Sequence, residues 1–167
     1  GTTGNPKGVL YSHRSTVLHA LIQCFYNSGS FAPKKKILTI VPLFHANAWG
    51  IPYSAPISGT SLVFPGANLD GKSVYDLLEK YSVNSAWGVP TVWMGLLEEI
   101  AQRGGKKPNG LEEMLVGGSA AAKSLIEAFE NLGVRVIHAW GMTETSPLGT
   151  SGRLISPFSE RPIEEQR

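Results

Sequence analysis

The first eight residues, Gly1-Thr2-Thr3-Gly4-Asn5-Pro6-Lys7-Gly8, have a composition suited to wrapping an anion. Glycines let backbone N–H groups turn inward at φ values that other residues resist, and successive inward N–H groups form an anion-binding nest. Thr2 and Thr3 add hydroxyl donors, and Lys7 adds a full positive charge. Each charge-assisted hydrogen bond to a phosphate is worth about 1.5–3 kcal/mol net. On composition alone the same residues also read as a flexible turn with a solvated lysine. A Walker A element is excluded, because that pattern ends in Gly-Lys-Ser/Thr and runs into a helix. Here Lys7 precedes Gly8 and the apolar run Val9-Leu10-Tyr11, which predicts a loop between two strands.

A second chemical segment is Ala139-Trp140-Gly141-Met142-Thr143-Glu144-Thr145-Ser146-Pro147. A carboxylate just beyond a strand is costly unless it meets a cation or a donor. Mg²⁺ suits Glu144, since it prefers oxygen ligands and bridges carboxylates to nucleotide phosphates. Thr143 can donate to the same phosphate, and Trp140 offers a flat face for a purine. Alone, the segment also reads as a surface turn with an exposed Glu and a packed Trp. A third segment, Val41 to Tyr53, holds His45 and Trp49 and no acidic residue. A lone His after a strand is more often structural than catalytic.

These segments need elements to hold them. Ser12 can cap a helix whose apolar face is Val17, Leu18, Leu21, Ile22 and Phe25. Ile37–Val41 is an apolar run of the kind found in strands covered on both faces. A mixed segment, 46–57, precedes a second run at Leu62–Phe64. Ser73 starts a helix with Val74, Leu77, Leu78 and Tyr81 at i, i+3, i+4, i+7 spacing. Ser85–Val89 reads as a strand, and Thr91 caps a helix carrying Trp93, Leu96, Leu97, Ile100 and Ala101. Met114–Val116 is a third short apolar strand, and Ser119 begins a helix that Gly133 ends. Val134–Ile137 closes the series. Strands separated by helices predict an α/β fold with a mostly parallel sheet, whose ligands sit at the carboxyl ends of the strands. His45, Gly88-Val89-Pro90, Gly117-Gly118-Ser119 and Trp140-Gly141 all fall at such ends.

Composition excludes several classes. With 42% hydrophobic and 17% charged residues the chain reads as an ordinary globular protein, and a net charge of +2 is too small to argue for nucleic acid. Lys34-Lys35-Lys36 reads as a solvated turn before a strand. No apolar run is long enough to span a bilayer, and Pro42, Asn47 and Pro52 interrupt the longest candidate. Cys24 is single, which excludes a disulfide framework and predicts a buried thiol in a reducing, cytoplasmic compartment. Gly117 to Ser124 is one residue from a Walker A. Ala122 stands where glycine belongs, and alanine does not cheaply adopt φ > 0.

Taken together, the motifs resemble the adenylate-forming enzymes: acyl-CoA synthetases, luciferases and the adenylation domains of peptide synthetases. The opening loop matches their Thr-Ser-Gly-Thr-Thr-Gly-x-Pro-Lys-Gly pattern from its third position. The 139–147 segment resembles Tyr-Gly-x-Thr-Glu, with Trp140 replacing the Tyr; the aromatic face is kept and the hydroxyl lost. The resemblance runs from Gly1 to about Ser151 and is greatest to medium- and long-chain fatty-acid CoA ligases and methylthiopropionate-CoA ligases, whose His-Ala-Trp-Gly-Met-Thr-Glu segment reads much the same.

The resemblance implies a fragment, residues 1–167, of the large N-terminal AMP-binding domain, with the small C-terminal domain absent. It implies ATP, Mg²⁺ and CoA, with Glu144 on the metal and Lys7, Thr143, Glu144 and His45 as catalytic residues. Thr2, Thr3, Gly4, Lys7 and Gly8 would hold the phosphates. Gly118, Ser119, Ala139, Trp140, Gly141 and Thr143 would hold the adenylate. His45, Trp49 and Gly117 would meet the acid, with Trp49 as the aromatic that swings to admit an acyl chain. The segment Gly88-Val89-Pro90-Thr91-Val92-Trp93 also matches, as pocket wall or packing.

In the implied reaction a carboxylate attacks the α-phosphorus of ATP, pyrophosphate leaves, and CoA thiolate then displaces AMP from the acyl-adenylate. The implied partners are a small carboxylic acid, ATP and CoA, with no nucleic acid and no integral membrane segment. A homodimer is a further expectation for the parent. The chain lacks the first Thr of the phosphate loop, the ribose-gripping Thr-Gly-Asp and the adenylation lysine, so the isolated piece is expected not to turn over. Two alternatives stay open: an amino-acid-activating adenylation domain and a non-catalytic nucleotide-binding protein.

Overall fold

The computed structural model describes residues 4–27, 29–152, 160–162 and 165. In chain order the elements are α1 (His13–Tyr26), β1 (Lys36–Thr39), the single turn α2 (Ala46–Trp49), α3 (Ile51–Ser58), β2 (Ser61–Val63), α4 (Gly71–Tyr81), β3 (Ser85–Gly88), α5 (Pro90–Gln102), β4 (Glu113–Val116), α6 (Lys123–Asn131), β5 (Arg135–Gly141), a 3-10 turn (Thr143–Thr145) and β6 (Leu148–Ser151). The strands form one sheet in the order β2-β1-β3-β4-β5-β6. The first five are parallel, and β6 runs antiparallel to β5. The α/β class and the parallel, helix-covered sheet read from the sequence are therefore present.

Side chains alternate across each strand, so one apolar run feeds two cores. Leu38, Ala86, Met114 and Val116 face α4, α5 and α6, where Leu78, Trp93, Leu96 and Phe129 are fully buried against them. Ile37, Trp87, Leu115 and Ile137 face the other way, under Phe31 and α3. Burial on both faces is why these strands read as continuous apolar stretches rather than as alternating ones. Each buried side chain of this size contributes about 1.5–3 kcal/mol.

Several local expectations shift by a residue or a turn. Ser12 caps α1 as expected, accepting from the Ser15 N–H at 3.0 Å. Asp70 rather than Ser73 caps α4, and both the Ser73 N–H and its hydroxyl donate to that carboxylate. α5 begins on Pro90 instead of being capped by Thr91, because proline has no N–H to leave unpaired in a first turn. α6 starts at Lys123, four residues later than Ser119, since Ala122 is still extended (φ −65°, ψ 141°). That same geometry removes the Walker A reading. Gly133 follows the end of α6 at φ +72°, the left-handed stop expected of it.

Three expectations are overturned. Val9-Leu10-Tyr11 is not a strand; among the described residues it has no ladder partner, and Leu10 is 98% exposed. The lysine run is not simply solvated, for Lys35 pairs with Glu112 at 2.6 Å and Lys36 donates to the Tyr81 carbonyl at 2.7 Å. The apolar residues of α1 do not face the core. Val17, Leu18, Leu21, Ile22 and Phe25 point outward, and the side against α3 is Ala20 and Gln23, with Cys24 partly buried. The inner side is small and polar because it meets backbone: Gln23 reaches a carbonyl, and the Cys24 thiol lies 3.4 Å from the Ser54 carbonyl. Among the described residues no helix is long and apolar enough to cross a membrane.

Candidate active site

The carboxyl ends of β4 and β5 open into a cavity of about 710 Å³. Its walls bring together residues far apart in the chain: Lys7, His45, Trp49, Gly117, Gly118, Ala139, Trp140, Gly141, Thr143 and Glu144. Lys7 and the acidic turn therefore share one cleft, although they lie at opposite ends of the chain.

Lys7 is brought there by a tether that the sequence did not reveal. The Tyr11 hydroxyl donates to the Thr143 carbonyl at 2.5 Å, joining the end of the glycine loop to the turn that carries Glu144. Burial, and secondarily the negative charge of Glu144, push the Tyr11 phenol pKa up, so it stays a donor at neutral pH. Nothing in Gly8-Val9-Leu10-Tyr11 singles out that hydroxyl in advance.

The Glu144 turn is shaped by its own backbone. The Met142 N–H donates to the Pro147 carbonyl and to the Thr145 hydroxyl, both at 3.0 Å, and that hydroxyl donates back to the Met142 carbonyl at 2.9 Å. Thr145 is thus consumed in closing the turn, while Thr143 and Glu144 line the cavity. Gly141 is required here, since a Cβ on it would collide with the Pro147 carbonyl. Trp140 is 54% exposed and lines the same wall, with Gly149 against its indole.

On the facing side, Gly118 sits at φ +79° with the Val89 side chain beside it, and Gly117 lies against the Trp49 indole. The turn that carries Trp49 has an uncommon backbone. Asn47 (56°, 48°) and Ala48 (50°, 44°) are in the left-handed helical region, and Ala46 and Trp49 also have positive φ. For L residues such a conformation costs about 1–2 kcal/mol each, so the surroundings must impose it. His45, exposed at the start of this turn, packs its ring against Phe44 at 5.0 Å.

The deep end of the cavity is lined by Gln23, Trp87 and Leu115. The Trp87 indole N–H donates to the Ser85 hydroxyl at 3.1 Å and to the Ser30 hydroxyl at 3.3 Å. Ser30 in turn donates to buried Glu113, which pairs with Arg135. The result is a fixed aromatic floor. Trp87 and Leu115 carried no sequence signal beyond apolar strand residues.

Not every expected residue reaches the cavity. Gly4, Gly8 and Ser119 are exposed and do not line it, and Thr2 and Thr3 lie outside the described residues. The loop approaches through Lys7 and Val9 instead. Ser119 turns outward because the chain is leaving the sheet toward α6. Within 88–93, Val89 touches the site through Gly118, whereas Trp93 is core on the opposite face. Among the described residues no group of three or more His, Cys, Asp or Glu is gathered to hold a metal. A single carboxylate, Glu144, lining a cavity with Lys7 still fits Mg²⁺, which is commonly held by one or two carboxylates plus substrate phosphates.

The sequence pattern of the AMP-binding enzyme family matches residues 1–166. The chain is 46% identical to a 3-methylmercaptopropionyl-CoA ligase of Ruegeria lacuscaerulensis over 167 residues, 99% of this chain and 31% of that protein. It is 54% identical to a medium-chain-fatty-acid–CoA ligase of Ectopseudomonas oleovorans over 153 residues, 90% of this chain and 28% of the relative. Among solved structures, the O-succinylbenzoate coenzyme A synthetase of Bacillus subtilis in complex with ATP and magnesium superposes with a TM-score of 0.79. That match is at 26% identity and covers 96% of this chain and 32% of the other. The chain thus spans under a third of the length of these relatives.

Proposed function

The chain belongs to the AMP-binding enzyme family, and on that footing we propose that it is the nucleotide- and acid-binding segment of an acyl-CoA ligase. The substrate is a fatty or related carboxylic acid, activated with ATP and passed to CoA. The observation that carries this reading is the shared cavity of Lys7, Glu144 and the His45–Trp49 turn.

The roles follow from charge and shape. Lys7 holds the β- and γ-phosphates, and Thr143 donates to the α-phosphate. Glu144 would hold Mg²⁺, which would supply positive charge beside the phosphates when bound. Trp140 and Gly118 hold adenine between an aromatic face and a bare backbone. His45 and Trp49 orient the acid. The acid's oxygen attacks the α-phosphorus, and the bond from that phosphorus to the bridging oxygen of pyrophosphate breaks. A thiolate then attacks the acyl carbon, and the acyl–oxygen bond to AMP breaks. Negative charge gathers on the phosphates in the first step, so positioned donors and cations supply most of the catalysis.

An amino-acid substrate is disfavoured because the 41–53 segment offers no carboxylate for an ammonium group. The test is ATP–pyrophosphate exchange by the full-length protein, with straight-chain fatty acids against amino acids. Exchange driven by fatty acids supports the reading. Exchange driven only by amino acids, or by no acid, overturns it.

A further inference from the structure

We infer that Gln23, on the inner side of α1, is a positioning residue for Trp49 and so helps set which acyl chains the cavity accepts. The inference rests on reading that cavity as the acid site.

Four successive non-glycine residues, Ala46 to Trp49, hold positive φ. The turn's own hydrogen bonds are few: the Trp49 N–H reaches the His45 carbonyl at 3.4 Å and the Gly50 N–H reaches the Asn47 carbonyl at 3.1 Å. A backbone in this region persists only where the surroundings over-determine it. Gln23 supplies that constraint. It is 1% exposed, its amide nitrogen donates to the Trp49 carbonyl at 2.8 Å, and its amide oxygen accepts from the Ser54 hydroxyl on α3. The Ser54 hydroxyl also lies 3.3 Å from the Gly50 carbonyl. One amide thus ties the end of the left-handed turn to the first turn of α3. One helical turn earlier, the His19 ring fills the space a Cβ on Gly50 would need, at 2.6 Å.

The constraint reaches the substrate through the indole. Trp49 lies against the Gly117–Gly118 step, within 3.2 Å of where a Gly117 Cβ would stand. Any movement of its backbone therefore moves a wall of the cavity, which Gln23 itself also lines. An apolar side chain could fill the same volume at lower desolvation cost, but it could not hold the Trp49 carbonyl. A buried amide with both ends engaged is best explained by that task.

The test uses the full-length protein and Gln23→Met, which keeps the volume and removes the donor. Steady-state kcat and KM are measured for fatty acids of increasing length and for ATP. The expected result is a change of about fivefold in the kcat/KM ratio between short and long acids, with the KM for ATP held within about twofold. In a double-mutant cycle, Trp49→Ala should remove most of the effect of Gln23→Met, because one acts through the other. Ser54→Ala, which frees the far end of the amide, should shift the ratio in the same direction by less, and decides the matter if Gln23→Met does not fold. An unchanged ratio, an equal loss for every acid, or independent effects of Gln23 and Trp49 would overturn the inference while leaving the ligase reading intact. A wild-type protein with no activity toward any fatty acid would remove both.

Discussion

The two faces of the sheet are built on opposite terms. Against α4, α5 and α6, side chains such as Trp93, Leu96 and Phe129 are sealed from solvent in the larger apolar core, and the polar links there, such as Lys36 to the Tyr81 carbonyl and Arg103 to Asp76, lie at its margin. Against α1 and α3, a smaller core shares its face with the cavity, with buried polar groups (Gln23, Ser54, Ser30, Ser85 and Glu113) and with a left-handed turn. The first face spends its apolar residues on stability. The second gives up close packing to leave space, and it replaces lost contacts with directed hydrogen bonds. The same strands serve both, because alternate residues point to opposite sides.

This contrast can be broken or sharpened by substitution. The largest expected effect is on the sealed face: Phe129→Ala should cost about 3–5 kcal/mol in denaturant unfolding, the range for an aromatic removed from a closed core. A cost under 1 kcal/mol would show that this face is not the stabilising one. On the cavity face the large effect should be chemical instead. Glu144→Gln in the full-length protein should lower Mg²⁺-dependent pyrophosphate exchange by about 10²–10³-fold with little change in melting temperature. Unchanged exchange would take Glu144 out of the site.

A smaller effect concerns pH. His19 bridges the two parts of the cavity face, its Nε2 accepting from the Leu148 N–H at 3.3 Å beside Gly50. Burial lowers its pKa below the ordinary histidine value of about 6.5, so the unfolded chain takes up a proton before the folded one does. Stability from this residue is complete above pH 6.5 and is lost as pH falls below it toward the folded value. The loss should be measurable as a falling melting temperature before the carboxylates titrate, and His19→Gln should flatten it. A slope identical in wild type and variant would assign the acid sensitivity elsewhere. The smallest effect is expected at Phe25, which is 75% exposed on α1: Phe25→Ser should change unfolding free energy by no more than about 0.5 kcal/mol. A cost comparable to that of Phe129→Ala in the full-length protein would mean that this outer stripe of α1 is covered there.

Much of the architecture was legible because strands and helices have different periods. The runs at Ile37–Val41 and Met114–Val116, the i, i+3, i+4 spacing of Val74, Leu77 and Leu78, and Gly133 as a stop each carry a local physical signal. β6 carried none. Leu148-Gly149-Thr150-Ser151 has neither alternation nor β-branched density, and it is a strand only because β5 offers an edge to pair with. α1 misled for a related reason: its apolar stripe is not the stripe that α3 contacts. Within the site, Lys7, Trp140, Thr143 and Glu144 stood out by residue type. Tyr11, Gln23 and Trp87 did not, since a tyrosine, glutamine or tryptophan in an apolar stretch declares no partner.

The amino-acid sequence alone determined the fold class, the location of the chemistry at the carboxyl ends of the strands, and the kinds of groups present, because these follow from periodicity, punctuation and side-chain chemistry within short windows. Only the tertiary structure decided which of those groups meet. The Tyr11–Thr143 tether, the Gln23 amide on the Trp49 carbonyl and the joint cavity of Lys7 and Glu144 each join residues far apart in the chain. Contacts of that kind depend on how the elements pack, and no local pattern encodes them.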